Sequence, residues 1–218
     1  MVRPAPAALA ALLALAPLAS GDAAFTPDAP ARMAGQTSAP AAGRAVYALD
    51  AAHTTVGFRI RHMGVAYVEG EFDGFEGRIA FDPADLAATT VTATVQMTSV
   101  DTDIEARDRH LRSGDFFDVE AHPTMTFTST AALPTGPTTL RLAGDLTMKG
   151  VTRPVVFDVE AAGPIVDPRA GSRVGFHATA EIDRRDFGVT WGQTLPGGVP
   201  SLGHMVKLVL DVEATPAG

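Results

Sequence analysis

Cysteine is absent from all 218 residues of the chain. Its absence excludes disulfide bonds, thiolate metal sites, a cysteine nucleophile and the modified cysteine that anchors a lipoprotein. The folded protein must therefore be stabilised by a packed core, and a hydrophobic content of 46% is sufficient to build one.

Positive charge is also scarce in this sequence. The chain has 17 Lys and Arg residues against 25 Asp and Glu, and its formal net charge is −8. Binding to nucleic acid needs a basic face that neutralises phosphates, so this balance argues against nucleic acid as a partner. It also argues against simple electrostatic adhesion to anionic lipid.

The longest apolar run lies at the N-terminus. Arg3 precedes a segment from Ala7 to Ala19 that is almost entirely Ala and Leu, and small residues follow at Gly21 and Ala23. This order predicts a signal peptide over residues 1–23 and therefore an exported protein. About a dozen apolar residues are too few to span a bilayer comfortably, so we expect no integral membrane span after signal removal. A retained membrane anchor is the alternative.

Residues 24–45 are rich in Ala, Pro, Ser and Gly and lack periodicity, which predicts a disordered linker. The folded domain is expected over residues 46–214. Within it, side chains alternate between two faces: Val56, Phe58, Ile60 and His62 lie on one face of a predicted strand, and Thr55, Gly57, Arg59 and Arg61 lie on the other. Such runs recur along the domain, beginning at Val56, Phe75, Val91, Met125, Leu140, Val155, Val174 and Val206.

These runs predict about eight short strands, each burying one face, and hence a β-sandwich or a β-barrel. Two short helices are also expected. One follows Asp82-Pro83, and the other covers residues 104–112, with Asp103 as its N-cap and Gly114 at its end.

A set of motifs in fixed order makes the domain recognisable. The most specific stretch is Arg-Asp-x-His-Leu-x-Ser-x-Asp-Phe-Phe-Asp, from Arg107 to Asp118. The other motifs are Tyr47-x-Leu49-Asp50-x-x-His53-Thr54, Val56-x-Phe58-x-Ile60-x-His62, Gly70-x-Phe72-x-x-Phe75-x-Gly77, His122-Pro123, Phe127-x-Ser129, Gly144-x-Leu146-Thr147, Gly150-Val151-Thr152-Arg153-Pro154-Val155, Arg185-Asp186-Phe187-Gly188 and Val206-x-Leu208.

In these motifs the domain resembles the YceI-like family of polyisoprenoid-binding periplasmic proteins. One departure is Thr54, where the family usually has Ser, and the hydroxyl is retained. The resemblance implies an all-β, lipocalin-like, eight-stranded antiparallel barrel. It also implies an elongated apolar cavity that holds an isoprenoid chain or a similar lipid, and a periplasmic location.

Whether the barrel contains a cavity depends on its inward side chains. An eight-stranded barrel is just wide enough to be filled by side chains or to hold one ligand. Large inward residues alternate here with small ones such as Ala93, Gly144 and Ala178, which can leave a tunnel. The alternative is that the phenylalanine rings fill the core completely.

Candidate ligand-binding residues come from the inward positions and from the helix motif. Arg107 and His110 lie three apart on the predicted helix and share a face, where they would receive a polar head group such as a phosphate or a quinone. The alternative is that Arg107 pairs with Asp108 and has a structural role. The full candidate set is Phe58, His62, Phe81, Arg107, His110, Leu111, Phe116, Phe127, Phe157, Phe176 and Trp191.

No motif indicates catalysis. The chain has no HExxH, P-loop, dinucleotide fingerprint or G-x-S-x-G elbow, so we expect no catalytic residue, no metal and no cofactor. A metal-dependent cupin-like enzyme is one alternative, because the chain has six histidines, including His53 and His62 at the ends of the first strand. A protein-interaction module is another, although the sequence shows no localised exposed apolar stripe. Pairing into a homodimer is left open.

Overall fold

The computed structural model describes residues 43–169 and 171–218. The predicted signal peptide and almost all of the predicted linker lie outside the described residues, so both stay predictions. The strands are β1 (Ala45–Leu49), β2 (Thr55–His62), β3 (Ala66–Phe72), β4 (Phe75–Phe81), β5 (Thr90–Gln96), β6 (Val100–Asp101), β7 (Thr124–Pro134), β8 (Thr139–Met148), β9 (Val151–Asp167), β10 (Gly171–Asp183) and β11 (Leu202–Pro216).

Three breaks divide what are eight continuous strands of one barrel. β11 pairs with both β1 and β2, so β1 and β2 are two parts of one strand. In the same way, β3 pairs with β2 and β4 pairs with β1, so β3 and β4 are two parts of the second strand. β5 pairs with β4 and β6 pairs with β3, so β5 and β6 are two parts of the third. The remaining strands follow in sequence order, and the β1–β11 pairing closes the sheet. All pairings are antiparallel, which confirms the predicted eight-stranded barrel and leaves it without a long free edge.

The alternation in the sequence sets which side chains face the barrel axis. On β10, Val174, Phe176, Ala178, Ala180 and Ile182 are all buried, whereas the residues between them are more exposed. The same period of two holds on β8 and along the inner half of β9. Because successive side chains of a strand point to opposite faces, the apolar set of each strand lines the interior.

The one α-helix in the described part of the chain is α1 (Glu105–Arg112), which lies between β6 and β7 at one end of the barrel. Acidic Glu105 and Asp108 lie in its first turn and basic Arg109, His110 and Arg112 in its last, which suits the helix dipole. No helix in residues 43–169 or 171–218 is long and apolar enough to cross a membrane.

Three details of the helix predictions were wrong. Asp103 is not the N-cap of α1, because Ile104 takes that position and Asp103 has a φ of 64°. The helix ends at Arg112, and its C-cap is Ser113 rather than Gly114. The other predicted helix is a short 3₁₀ turn at Leu86–Ala88, preceded by an Asx turn in which Asp82 Oδ1 accepts a hydrogen bond from the backbone N–H of Ala84.

Candidate ligand-binding site

An apolar cavity of about 140 Å³ lies on the barrel axis. We call it the inner cavity, and four of the predicted ligand-binding residues, Phe58, Phe127, Phe157 and Phe176, lie in its wall. The inward side chains therefore do not fill the barrel completely. A cavity of this size with an apolar lining stays dry and accepts apolar groups.

Two glycines explain why the phenylalanine rings leave the axis open. The Phe58 ring lies against Gly70 on the neighbouring strand, and a Cβ added to Gly70 would be 2.7 Å from its Cζ atom. The Phe127 ring lies against Gly144 in the same way, with the corresponding distance only 2.3 Å. Each ring therefore occupies the place of a missing side chain on the wall. Gly144 thus opens the axis by admitting the Phe127 ring into its own place on the wall.

The end of the barrel away from α1 is closed by tightly packed side chains, which we call the floor. Phe81 packs edge-on against Phe176, with ring centroids 5.1 Å apart, and is only 2% exposed. Tyr47, Val174 and Ala214 are also buried here. Phe81 was predicted to bind ligand, but it lines neither axial cavity. It packs against Phe176 on the floor side instead. An inward-facing position on a strand can therefore belong to a fully packed layer of the barrel rather than to a cavity wall.

A larger chamber of about 560 Å³ lies at the α1 end, and we call it the mouth chamber. Its wall includes seven of the predicted residues: Phe58, His62, Arg107, His110, Leu111, Phe116 and Trp191. Phe58, Phe72, Met125 and Leu208 line both the mouth chamber and the inner cavity. The two spaces therefore follow one another along the axis, and these four side chains form the narrowing between them.

An aromatic cluster stands on one side of the mouth chamber. The ring centroid of His110 lies 5.0 Å from that of Phe116 and 5.1 Å from that of Trp191, and Phe116 and Trp191 are themselves 5.1 Å apart. His110 Nε2 also lies 3.0 Å from Asp115 Oδ2. These contacts join α1 to the loop that carries Trp191, so that helix and loop form one wall.

Arg107 is positioned by a threonine and not by its neighbouring aspartate. Its Nε donates to Thr102 Oγ1 at 2.7 Å and its Nη2 donates to the Thr102 carbonyl at 2.5 Å. The Thr102 hydroxyl in turn donates to the buried Asp108 carboxylate at 2.5 Å. The predicted alternative of a direct Arg107–Asp108 pair is therefore wrong. Arg107 donates two of its five N–H groups to Thr102, and the remaining N–H groups can bind a ligand.

Arg184 is a functional candidate that the sequence analysis missed. It is 4% exposed and lines the mouth chamber, and its guanidinium donates to the carbonyls of Gly203 at 2.8 Å and Val189 at 2.7 Å. Burial lowers the pKa of Arg184 from its usual range. The sequence contained a signal for it: Arg184 directly follows β10 and lies two residues after Ile182, so it continues the period-two series of buried positions on that strand.

The electrostatics of the mouth chamber are opposite to those of the whole chain. Arg107 and Arg184 line it together with two histidines, and no Asp or Glu appears among the described residues of its wall. The protein as a whole carries a formal charge of −8. The described wall of the chamber thus presents two guanidinium groups and no carboxylate to a mostly apolar space, which suits a ligand with an apolar body and an anionic head.

A second polar cluster lies on the outer wall, at the break between β1 and β2. His53 Nδ1 lies 3.0 Å from Asp50 Oδ2, and Arg173 Nη1 donates to Asp50 at 2.8 Å and also to Glu213. These bonds hold the pKa of Asp50 down at about 2, chiefly through Arg173. Among the described residues, Asp50, His53 and Glu213 are the one group of side chains close enough together to hold a metal ion. The Arg173 guanidinium already places a positive charge beside the two carboxylates. The cluster lines neither axial cavity, so we assign it a structural role.

Comparison with known proteins is consistent with this geometry. The family model described as the YceI-like domain matches residues 47–214. The Escherichia coli O157:H7 protein YceI is 42% identical over 154 residues, which cover 70% of this chain and 80% of that protein.

Two solved structures share the fold. Burkholderia cenocepacia BcnA superposes with a TM-score of 0.68 at 25% identity, over 77% of this chain and 99% of that one. A polyisoprenoid-binding domain from Saccharophagus degradans, implicated in plant cell wall breakdown, has a TM-score of 0.57 over 78% of this chain and 98% of its own. At 15% identity, this second likeness concerns the fold alone.

Proposed function

The chain belongs to the YceI-like domain family, and on that premise we propose that its barrel binds a long-chain isoprenoid or a similar apolar lipid. The tail lies along the axis and the head group lies in the mouth chamber. The observation that carries the proposal is the sequence of spaces along the axis: an apolar inner cavity, a narrowing, and a chamber that contains Arg107 and Arg184.

The tail would be bound by the hydrophobic effect alone. Each buried methylene contributes about 0.8 kcal/mol, so a chain of several isoprene units needs no charge contact to bind tightly. The inner cavity, at about 140 Å³, accommodates only a short stretch of chain. We therefore expect a long tail to occupy both spaces and to push aside the side chains of the narrowing, among them Phe58 and Met125.

The head group is proposed to be anionic, with a prenyl phosphate preferred over a quinone. Arg107 and Arg184 present N–H donors in a chamber whose described wall contains no carboxylate. A guanidinium matches phosphate oxygens in geometry, and hydrogen bonds between charged partners are stronger than neutral ones. A quinone head would use the same donors without the charge.

Reversible binding, rather than catalysis, is the proposed activity. The Thr102 hydroxyl bonds to Arg107 and Asp108, and His110 lies beside Asp115. The hydroxyl of Thr102 and the imidazole of His110 therefore already have protein partners. Export is a prediction from residues 1–23, and with it we propose a carrier that shields an apolar lipid from the aqueous periplasm.

Paired titrations test the proposal. Farnesyl phosphate and farnesol are added to the protein while the fluorescence of Trp191, the single tryptophan, is recorded. We expect both to bind and the phosphate to bind more tightly. Arg107→Gln should weaken farnesyl phosphate about 10- to 100-fold, because hydrogen bonds to charged groups contribute about 1.5–3 kcal/mol, and should change farnesol little.

Two further variants make this test specific. Arg107→Lys keeps the positive charge and should restore part of the preference for phosphate. Arg141→Gln removes an arginine from an exposed pair with Asp158 on the outer wall and should change neither affinity. Equal loss of both ligands in Arg107→Gln would assign Arg107 a scaffold role, and failure of both to bind the wild-type protein would contradict the proposed function.

A further inference from the structure

Five exposed apolar side chains surround the opening of the mouth chamber, and we call them the rim: Met63, Val65, Ile104, Trp191 and Val199. Their exposure ranges from 38% for Val199 to 80% for Val65. They come from three separate segments, which is why the sequence shows no continuous apolar stripe. Apolar side chains gathered at one place on a surface mark a site of interaction with another molecule or a membrane.

Direct contacts join these segments. The backbone N–H of Met63 donates to the Ser201 carbonyl at 3.0 Å, and a Cβ added to Gly64 would be 3.3 Å from Val199 Cγ1. Ser201 is also bonded to Gln193, two residues after Trp191. Trp191 and Ile104 line the chamber itself. The rim is therefore continuous with the proposed binding site.

The β2–β3 hairpin has the order of groups that suits a water–lipid boundary. Its tip carries Met63 and Val65, and the next outward-facing pair along the hairpin is Arg61 opposite Tyr67. The Arg59 and Arg61 guanidinium carbons lie 4.0 Å and 4.1 Å from the centroid of the Tyr67 ring. Apolar residues at the tip, then an aromatic ring, then arginines follow the arrangement of segments that insert shallowly into a membrane.

We propose that the rim docks onto the surface of a phospholipid bilayer and places the mouth chamber against it. The inference rests on the lipid-binding function proposed above, since a ligand that resides in membranes must pass between bilayer and chamber. The docking force is the burial of rim side chains. It therefore does not depend on the net charge of −8, which opposes purely electrostatic adhesion.

Co-sedimentation with vesicles of phosphatidylethanolamine and phosphatidylglycerol tests the proposal. We expect the wild-type protein to sediment with vesicles in low and in high salt, and brominated lipids to quench Trp191. Met63→Ser/Val65→Ser should lower the partition coefficient at least about tenfold, because it removes two apolar side chains from contact with lipid.

Matched measurements separate docking from ligand binding. Ile165→Ser/Val166→Ser alters two residues that are 68% and 73% exposed, lie near the floor end and line neither axial cavity, so vesicle binding should persist. Farnesyl phosphate affinity in solution should be unchanged in both double variants. If the wild-type protein does not bind farnesyl phosphate in solution, the proposed function is wrong, independently of the result with vesicles.

Three outcomes would overturn docking. The wild-type protein does not sediment with vesicles, or both double variants lose vesicle binding equally. The third outcome is a wild-type dimer in solution that only the Met63→Ser/Val65→Ser variant converts to monomer, which would make the rim an interface between two copies of the chain.

Discussion

The floor and the mouth of the barrel are built from the same strands with the same alternation, yet their inward side chains meet different surroundings. At the floor, Phe81 and Ala214 are 2% and 0% exposed and belong to the buried hydrophobic core. At the mouth, the series of β10 continues into Arg184, and the chamber is open. One binary pattern therefore produces a solid core at one end and a binding space at the other.

The difference between the two ends arises from size and chemistry at particular positions. Phe81 and Phe176 meet edge-on and close the floor. Nearer the mouth, Gly70 and Gly144 let the Phe58 and Phe127 rings lie against the wall. The wall glycines and the basic residues, rather than the alternation, thus determine where a ligand fits.

Replacing alanine by leucine at the floor and at the inner cavity gives the largest expected difference in unfolding free energy. Ala214→Leu adds volume to the floor, where overpacking costs typically about 1–3 kcal/mol of unfolding free energy. Ala178→Leu adds the same atoms to the wall of the inner cavity, where space exists, so we expect a loss below about 1 kcal/mol. Urea denaturation of the two variants and the wild type measures both values.

Ligand binding sharpens the same comparison. Ala178→Leu should abolish binding of a long prenyl phosphate while a short one still binds in the mouth chamber. Ala214→Leu should leave the affinity of both ligands close to wild type, provided that measurements are made where it is folded. Equal destabilisation by the two substitutions would mean that the axis at Ala178 is as densely packed as the floor.

Acid sensitivity gives a smaller contrast, confined to the outer cluster at the break between β1 and β2. The pKa of Asp50 is about 2, below its ordinary value of 3.8, because Arg173 and His53 hydrogen-bond to the carboxylate. A depressed pKa contributes stability above the ordinary value, and the contribution is lost as pH falls toward 2. The urea midpoint of the wild type should therefore be higher than that of Asp50→Asn at pH 5, and the two midpoints should converge near pH 2.

Asp158→Asn is the control for this measurement. Asp158 forms an exposed pair with Arg141 at 3.3 Å, and exposed pairs contribute only about 0–1 kcal/mol. Its midpoint should therefore stay close to wild type throughout. An Asp50→Asn midpoint that differs from wild type equally at pH 5 and pH 2 would show that the carboxylate charge does not stabilise the fold.

Most of the barrel could be predicted because strand faces follow a period of two. The eight runs in the sequence correspond to the eight continuous strands, and the motif around Arg107 correctly pointed to the helix at one end. The breaks between β1 and β2 and between β3 and β4 could not be predicted from alternation. They depend on contacts between distant residues, such as Asp50 with Arg173 and Thr54 with the backbone of Glu213.

The candidate site was predictable in part for the same reason. Inward positions such as Phe58 and Phe157 follow from the alternation, whereas Phe81 shows that the alternation does not distinguish a floor from a cavity wall. Arg184 was missed because a charged residue at an inward position is read as the end of a strand. The rim was missed because its side chains converge only after folding.

Native mass spectrometry of the protein purified without detergent, followed by addition of a long-chain prenyl phosphate, tests the central claim most directly. We predict a complex of one protein with one lipid, either carried through purification or formed on addition, and its loss in Ala178→Leu. A wild-type protein that stays at its ligand-free mass under both conditions would contradict the existence of a lipid-binding space along the barrel axis.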